Sequence, residues 1–281
     1  MKFLIIQENG RHEGNREYRE CFCLQRALYA NKQECDVWGL GHPNYTALIN
    51  FNSYDIILNI ENYDSGWIPD LSTTAPKPFK MLWSIDAHCR GITPYLQEFQ
   101  RGKYNIILQS TKDFCDNNSV WFPNAYDNTL IKPLPLPRRA DIGFCGNVLN
   151  RKPYLDFIAS KYNFVSDIFV IGDDMVKAIN SYLIHFNMNI ANDINYRNFE
   201  TLGCGVLLLT NFNPQYQELG FRDMENCVFY TDIQNLDHRI LFLLNNPLKL
   251  GEIRQKGLEL ASKHTYNKRI EHLLKYLKTK I

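Results

Sequence analysis

Short unbroken apolar runs, each followed by a polar loop and an amphipathic segment, recur along the whole chain and limit its fold more than any other feature. "KFLIIQ" (2–7) opens the series, and "CDVWGL" (35–40), "YDIILNI" (54–60), "FKMLWSID" (79–86), "YNIILQS" (104–110) and "SVWFP" (119–123) continue it. A strand with one wet face alternates apolar and polar residues. Runs without alternation, separated by helical patterns such as "REYRECFCLQRALYANK" (16–32), predict a parallel sheet covered on both faces.

The punctuation changes at "NTLIKPLPLPRRA" (128–140), where Pro133, Pro135 and Pro137 alternate. Proline lacks the N–H that a helix or a ladder needs, so this segment reads as an extended linker. The rhythm then restarts with "DIGFCGN" (141–147), "VSDIFVIG" (165–172), "YLIHFNM" (182–188), "GVLLLT" (205–210) and "CVFYTD" (227–232). Helices are expected at "KPYLDFIASKY" and "INYRNFETLG", and the tail from Gln234 to Ile281 is helical by period with a break at Pro247. The expectation is an α/β protein of two doubly wound Rossmann-like domains, 1–127 and 141–281, joined by residues 128–140. The last helix is expected to pack back on the N-terminal domain. Ligands of such sheets sit beyond the carboxyl ends of the strands, so a cleft between two facing domains is the expected site.

Charge narrows the function. With 31 basic and 30 acidic residues the net charge is +1, and no global field argues for nucleic acid or a membrane. The eight cysteines include no C-x-x-C pair, so a zinc site is not expected. Several lie in apolar runs, which suits buried free thiols in a reducing cytoplasm. The four apolar residues Phe3–Ile6 are too few for a secretory signal, and no run approaches a membrane span. A soluble, cytoplasmic protein is expected.

Two stretches of the second half carry chemistry. In "NYRNFETLGCGVLLLT" (195–210), Arg197 and Glu200 stand one turn apart on a helix that precedes a buried strand. Read as plain structure they are an ion pair worth less than about 1 kcal/mol. Read as a clamp, the carboxylate accepts from two vicinal sugar hydroxyls while the guanidinium forks onto a phosphate. In "GFCGNVLNRK" (143–152), Gly146 and Asn147 suit a tight strand-to-helix turn. Arg151 and Lys152 fall at the helix start, where backbone N–H groups attract anions. The plain alternative there is a connecting loop with solvated cations. Asp173 and Asp174 suggest a helix cap before a metal site.

Together these stretches, with "GLELASKHTYNKRIEHLL" (257–274), resemble the C-terminal half of GT-B glycosyltransferases, and among them the spore-protein CgeB-like branch of the group-1 transferases. "WFPNAYDN" (121–128) and the position of "SIDAH" (84–88) look like that branch too. The resemblance covers residues 80–281 and is most specific at the R-x-x-E-x-x-x-C-G helix. It implies a hexosyltransferase-like enzyme that moves a sugar from a UDP-linked donor to a hydroxyl acceptor. The donor belongs to the C-terminal domain and the acceptor to the N-terminal one. Glu200 matches the glutamate that holds the nucleotide ribose. Arg197 and Thr201 lie beside the donor, and Gly146, Asn147, Arg151 and Lys152 fall where the diphosphate is met. Where many relatives carry a second glutamate, this chain has Asn192. No cofactor and no metal are implied; the nucleotide-sugar is a co-substrate. Cations and N–H groups then meet the charge that grows on the departing diphosphate.

The first half should supply a base and acceptor-positioning groups at its strand ends. "ENGRHEGN" (8–15) offers Asn9, Gly10 and His12; "NIENYDSGW" (59–67) offers Glu61 and Asn62; "SIDAHCR" (84–90) offers Asp86, His88 and Arg90. Asp86 is the candidate general base, assisted by His88, with Glu61 as second candidate. The plain alternative makes Asp86 a helix cap and leaves His88 solvated. Trp67 and Trp83 are candidates for stacking on a sugar or base face.

Two other functions fit the same pattern. One is a non-catalytic nucleotide or sugar binder, since fold does not fix function. The other is a transferase acting on hydroxylated bases of DNA, with the basic tail (Lys263, Lys268, Arg269, Lys275, Lys278, Lys280) on phosphate. A Rossmann oxidoreductase is disfavoured because no G-x-G-x-x-G follows any strand candidate.

Overall fold

A computed structural model describes residues 1–10, 12–62, 64, 66–74 and 78–281. The chain divides into two compact units, Met1–Asn124 with Tyr266–Ile281, and Ala125–Thr265.

Among its described residues the first unit holds a six-stranded parallel sheet. The elements are β1 (Lys2–Ile6), α1 (Glu20–Ala30), β2 (Glu34–Trp38), β3 (Ile56–Ile60), β4 (Phe79–Ser84), α2 (Ala87–Arg90), α3 (Thr93–Gly102), β5 (Ile106–Gln109) and β6 (Ser119–Trp121). Their order is β2-β1-β3-β4-β5-β6, with Ile6 opposite Trp38 on one side and Asn59 on the other. The apolar runs are buried as expected: Phe3 to Ile6 and Ile56 to Leu58 expose nothing. One core layer joins Leu4, Ile6, Ile57 and Leu82 to Trp38, Tyr95 and Tyr104. Each such side chain removed from water contributes about 1.5–3 kcal/mol before entropy is counted. α1 begins later than its pattern suggests, because residues 13–18 form a 3-10 turn. Cys21 and Cys23 of α1 are both buried, and burial with the neighbouring Glu20 charge pushes the Cys21 thiol up to about 12.

The second unit comprises β7 (Ala140–Gly146), α4 (Lys152–Lys161), β8 (Phe164–Ile168), α5 (Gly172–Asn180), β9 (Tyr182–Asn187), α6 (Tyr196–Gly203), β10 (Leu207–Asn211), β11 (Val228–Tyr230), α7 (Ile233–Asn245) and α8 (Pro247–Ala261). Its five described strands are parallel in the order β11-β10-β9-β7-β8. Read from the other edge, that repeats the first five positions of the other sheet, so both are doubly wound with the switch between their first and third strands. Ile142, Phe144, Ile184, Phe186, Leu207 and Leu209 meet Leu155 and Ile158 of α4 and Leu236, Ile240 and Leu243 of α7 in the core. Residues 132–139 form neither helix nor strand; Leu134 N–H donates to Asn180 Oδ1 (2.7 Å) and Arg139 N–H to Ser181 O (2.8 Å). Both glycines flanking Cys204 are needed. Gly205 has φ +67°, and a Cβ on Gly203 would lie 2.4 Å from the Tyr126 ring.

β8 stops at Ile168, four residues short of its apolar run, where Phe169 takes φ +59° and the chain turns into α5. Asp173 and Asp174 lie in the first turn of α5, Asp174 paired with Lys177 (3.0 Å), and no metal-binding cluster of His, Cys, Asp or Glu exists among the described residues. Pro247 starts α8, and the chain ends in α9 (Tyr266–Leu277), which packs on α1 within the first unit. No described helix is long and apolar enough to cross a membrane.

Candidate functional site

The second sheet opens at its switch point. β7 stays paired with β8 as far as Gly146 and Ile168, but its register with β9 ends at Gly143 and His185. Past that point side chains take over the backbone of Cys145. Its N–H donates to His185 Nε2 (3.1 Å), and its carbonyl accepts from Arg197 Nε (3.0 Å). His185 is fully buried, and its other ring nitrogen lies 2.5 Å from Thr201 Oγ1 on α6. An acceptor Nε2 leaves Nδ1 as the protonated nitrogen, so the ring is neutral and donates to Thr201. Burial, then the Arg197 charge, pull His185 down to about 3.

α6 brings Arg197 and Glu200 to this opening. Arg197 Nη1 donates to Glu200 Oε2, and both side chains are largely withdrawn from solvent. Glu200 Oε1 accepts no hydrogen bond among the described residues, and the Arg197 guanidinium also lies beside the Cys145 thiol. The start of α6 is fixed by a buried amide network. Asn198 Nδ2 donates to Asn189 Oδ1 (2.7 Å), Asn189 Nδ2 to the Tyr216 hydroxyl (2.6 Å), and that hydroxyl to Asn198 Oδ1 (2.7 Å). Asn187 adds bonds to Asn198 and Thr210, both 3.2 Å. Arg151 links the loops that follow β7 and β9. Its Nε and Nη2 donate to Met188 O (3.1 and 2.8 Å) and its Nη1 to Asn147 O (2.9 Å).

In the first unit the corresponding strand ends are knitted together. Asn62 accepts from Glu8 N–H (2.7 Å) and donates to Ile60 O (2.7 Å), joining the ends of β1 and β3. Glu61 Oε2 accepts from the N–H groups of Ile85 and Asp86 (2.7 Å each), and Oε1 from Arg90 Nη1 (2.9 Å). The Asp86 carboxyl makes no capping bond to α2, and the residue opens to solvent. Protein packed around that carboxyl, then the charges of Glu61 and Glu20, push it up to about 6, and Arg90 draws it partly back. Asn9 Nδ2 donates to Gly41 O (3.2 Å), Gly10 lies against Arg19, and His12 is exposed.

Residues 130–275, just over half of the chain, match the family described as glycosyl transferase-like. The chain belongs to that family. No curated protein matches its sequence. Among solved structures it is similar to sucrose-phosphate synthase from Thermosynechococcus elongatus, with TM-score 0.70, 11% identity and all of both chains covered. It is similar to T4 phage β-glucosyltransferase in complex with its UDP-glucose substrate, with TM-score 0.69, 14% identity and 99% of each chain covered. It is also similar to an α-glucosyltransferase in complex with UDP and a 13-mer DNA, with TM-score 0.68, 11% identity, and 94% and 96% covered. At such identities the likeness establishes the GT-B fold.

For this glycosyltransferase the structure sorts the residues expected from sequence. Gly146, Asn147, Arg151, Arg197 and Glu200 gather at the opening between β7 and β9. Thr201 does not face it: the residue is fully buried and spent on His185. Arg151 is committed to backbone carbonyls, so it braces loops where a phosphate contact was expected. Lys152 runs along α4 to Asp156 (2.7 Å), an exposed pair of little weight. Glu61 is a loop brace and no free base, because three donors already occupy its oxygens. Asn62 is buried for the same kind of reason. Trp83 is core: wholly buried, it donates to Ser110 Oγ (2.9 Å). Trp67 packs on Trp38 and Tyr45, with ring centroids 6.1 and 5.8 Å apart. His88 sits half-buried on α2, two residues past Asp86. Sequence reading missed His185, whose signal was a lone histidine inside an apolar strand. It also missed the asparagines of "NMNIANDINYRN", whose signal was their density.

Proposed function

We propose that this glycosyltransferase moves a sugar from a UDP-linked donor to a hydroxyl acceptor, and that it belongs to the CgeB-like branch. The observation that carries the reading is the Arg197–Glu200 pair, with Glu200 Oε1 still open to a donor, on a preorganised helix at the opening between β7 and β9. A carboxylate oxygen suits ribose hydroxyls and a guanidinium suits a phosphate oxygen. The structural neighbours crystallised with UDP or UDP-glucose support uridine as the base. Asp86 takes the acceptor's hydroxyl proton. The acceptor oxygen then bonds to the anomeric carbon as the bond from that carbon to the diphosphate breaks, and the diphosphate leaves. Arg197 and nearby N–H groups stabilise the charge where it develops, and no resident cofactor enters the scheme. A carboxyl at about 6 suits that base role at neutral pH. Its cysteines, outside any disulfide and mostly buried, fit a cytoplasmic setting.

A hydroxylated base in DNA is the second acceptor reading, supported by the α-glucosyltransferase crystallised with DNA. The tail lends it little. Arg269 is buried on Pro123 O (2.9 Å) and Asn124 O (3.1 Å), and Lys268 pairs with Glu271 (2.7 Å). Thermal shift against UDP, UDP-sugars and other nucleoside diphosphates tests the donor: binding raises the melting temperature by mass action. Equal, negligible shifts with every nucleotide would sink the reading. UDP release on adding glucosyl acceptors or hydroxymethylated DNA then separates the acceptors.

A further inference from the structure

We propose that His185 is a positioning residue that sets Arg197 and Glu200 for the donor; the inference rests on the donor reading above. Three connections converge on its ring. Nε2 accepts from the N–H of Cys145 at 3.1 Å, Nδ1–H donates to Thr201 Oγ1 at 2.5 Å, and the carbonyl of the same Cys145 accepts from Arg197 Nε at 3.0 Å. The imidazole therefore ties β9, which carries it, to β7 and to α6. It does so where ladder bonding between β7 and β9 has ended. Without it the N–H of Cys145 has no partner on β9, and the backbone that carries the Cys145 carbonyl, the acceptor that aims Arg197, is held by its ladder to β8 alone. Thr201 follows Glu200 directly on α6, so its bond to the ring fixes the helix rotation that presents the carboxylate. Tyr182 packs on the ring from below, centroids 5.7 Å apart, and the histidine is fully buried, so no ligand touches it. Its effect passes through the pair it aligns.

Isothermal titration with UDP tests this on the full chain, with urea unfolding to verify that each variant is folded. His185→Leu removes both ring bonds and is expected to weaken UDP about tenfold or more, and Thr201→Val, which removes one, about fivefold. In His185→Gln the amide oxygen takes the Cys145 N–H and the amide N–H reaches Thr201, so affinity returns to within about threefold of the parent. Ile158→Ala, a buried change in the same core, is expected to lower stability and leave UDP affinity unchanged. If His185→Leu does not fold, Thr201→Val decides. Parental UDP affinity in the Thr201 and His185 variants, with affinity lost in Glu200→Ala, overturns the positioning role and spares the donor reading. Equal weakening in Ile158→Ala and His185→Leu also overturns it. Parental affinity in Glu200→Ala removes the donor reading and this inference together.

Discussion

The two sheets wind in the same order yet finish their switch points in opposite ways. In the first, a carboxamide and a carboxylate, Asn62 and Glu61, sew neighbouring loops together; the seam holds the N–H of the candidate base Asp86, whose carboxyl has no capping role. In the second, β7 and β9 part early, and His185, Arg197 and Arg151 hold the parted ends. The lesson concerns where rigidity is spent. Side chains proposed to bind the donor are buried and mutually bonded, so they are ordered before a ligand arrives and lose little entropy on binding. The proposed base keeps a raised pKa because surrounding protein and two acidic neighbours disfavour its charge, and Arg90 offsets them only in part.

The largest expected effect breaks the comparison at the first sheet. Asp86→Asn should lower turnover about 100- to 10,000-fold while UDP affinity stays at the parental value. Steady-state kinetics beside calorimetry would show whether base and donor sites separate in this way. Next comes Glu200→Ala, which should raise the Kd for UDP about 10- to 100-fold, the worth of a hydrogen bond to a charged group. A loss confined to turnover would mean that Glu200 is no donor ligand.

A pH series sharpens the contrast. The active form of Asp86 is the carboxylate, so kcat/KM should fall as pH drops through about 6. Stability runs the other way. The folded pKa lies above the unfolded value of about 3.9, so the folded state bears an electrostatic cost that is complete above about 6 and vanishes below about 4. Asp86→Asn should therefore melt higher than the parent at pH 7.5 and equally at pH 4. A lower melting temperature at pH 7.5 would show that the carboxylate is a structural partner. Asn62→Ala, which leaves the Glu8 N–H without its partner, should cost about 1–3 kcal/mol in urea unfolding. The smallest effect belongs to Lys152→Ala: its pair with Asp156 is exposed, so UDP affinity should change less than about twofold. A larger loss would restore Lys152 to the diphosphate contacts.

Much of the frame was legible because a strand buried on both faces leaves an unmistakable apolar run; "YDIILNI" and "GVLLLT" could be little else. The R-x-x-E spacing of α6 was equally readable, since a helix fixes which residues share a face. Direction inward or outward was not. Thr201 adjoins Glu200 in sequence, but one further step rotates it about 100° around the helix and into the interior. The bracing bonds of Arg151 were not legible because its partner, the Met188 carbonyl, lies on another strand's loop, and no local pattern announces a tertiary bond. Glu61 looked like a base for the same reason: the N–H groups that occupy it belong to the next strand's loop.

Cys89 offers a practical consequence. Among the described cysteines it is the exposed one, three residues along from Asp86, while Cys115 is half-covered and the others are buried. Burial pushes Cys21 up to about 12 and Cys145 up to about 11, and raises Cys35, Cys204 and Cys227 as well, so those thiols are poor nucleophiles. A maleimide dye should therefore attach first at Cys89 in the native enzyme without any engineering, with half-covered Cys115 as the slower second site. It would form a fluorescent reporter beside the proposed base, able to register the arrival of candidate acceptors whose chemistry is still to be found.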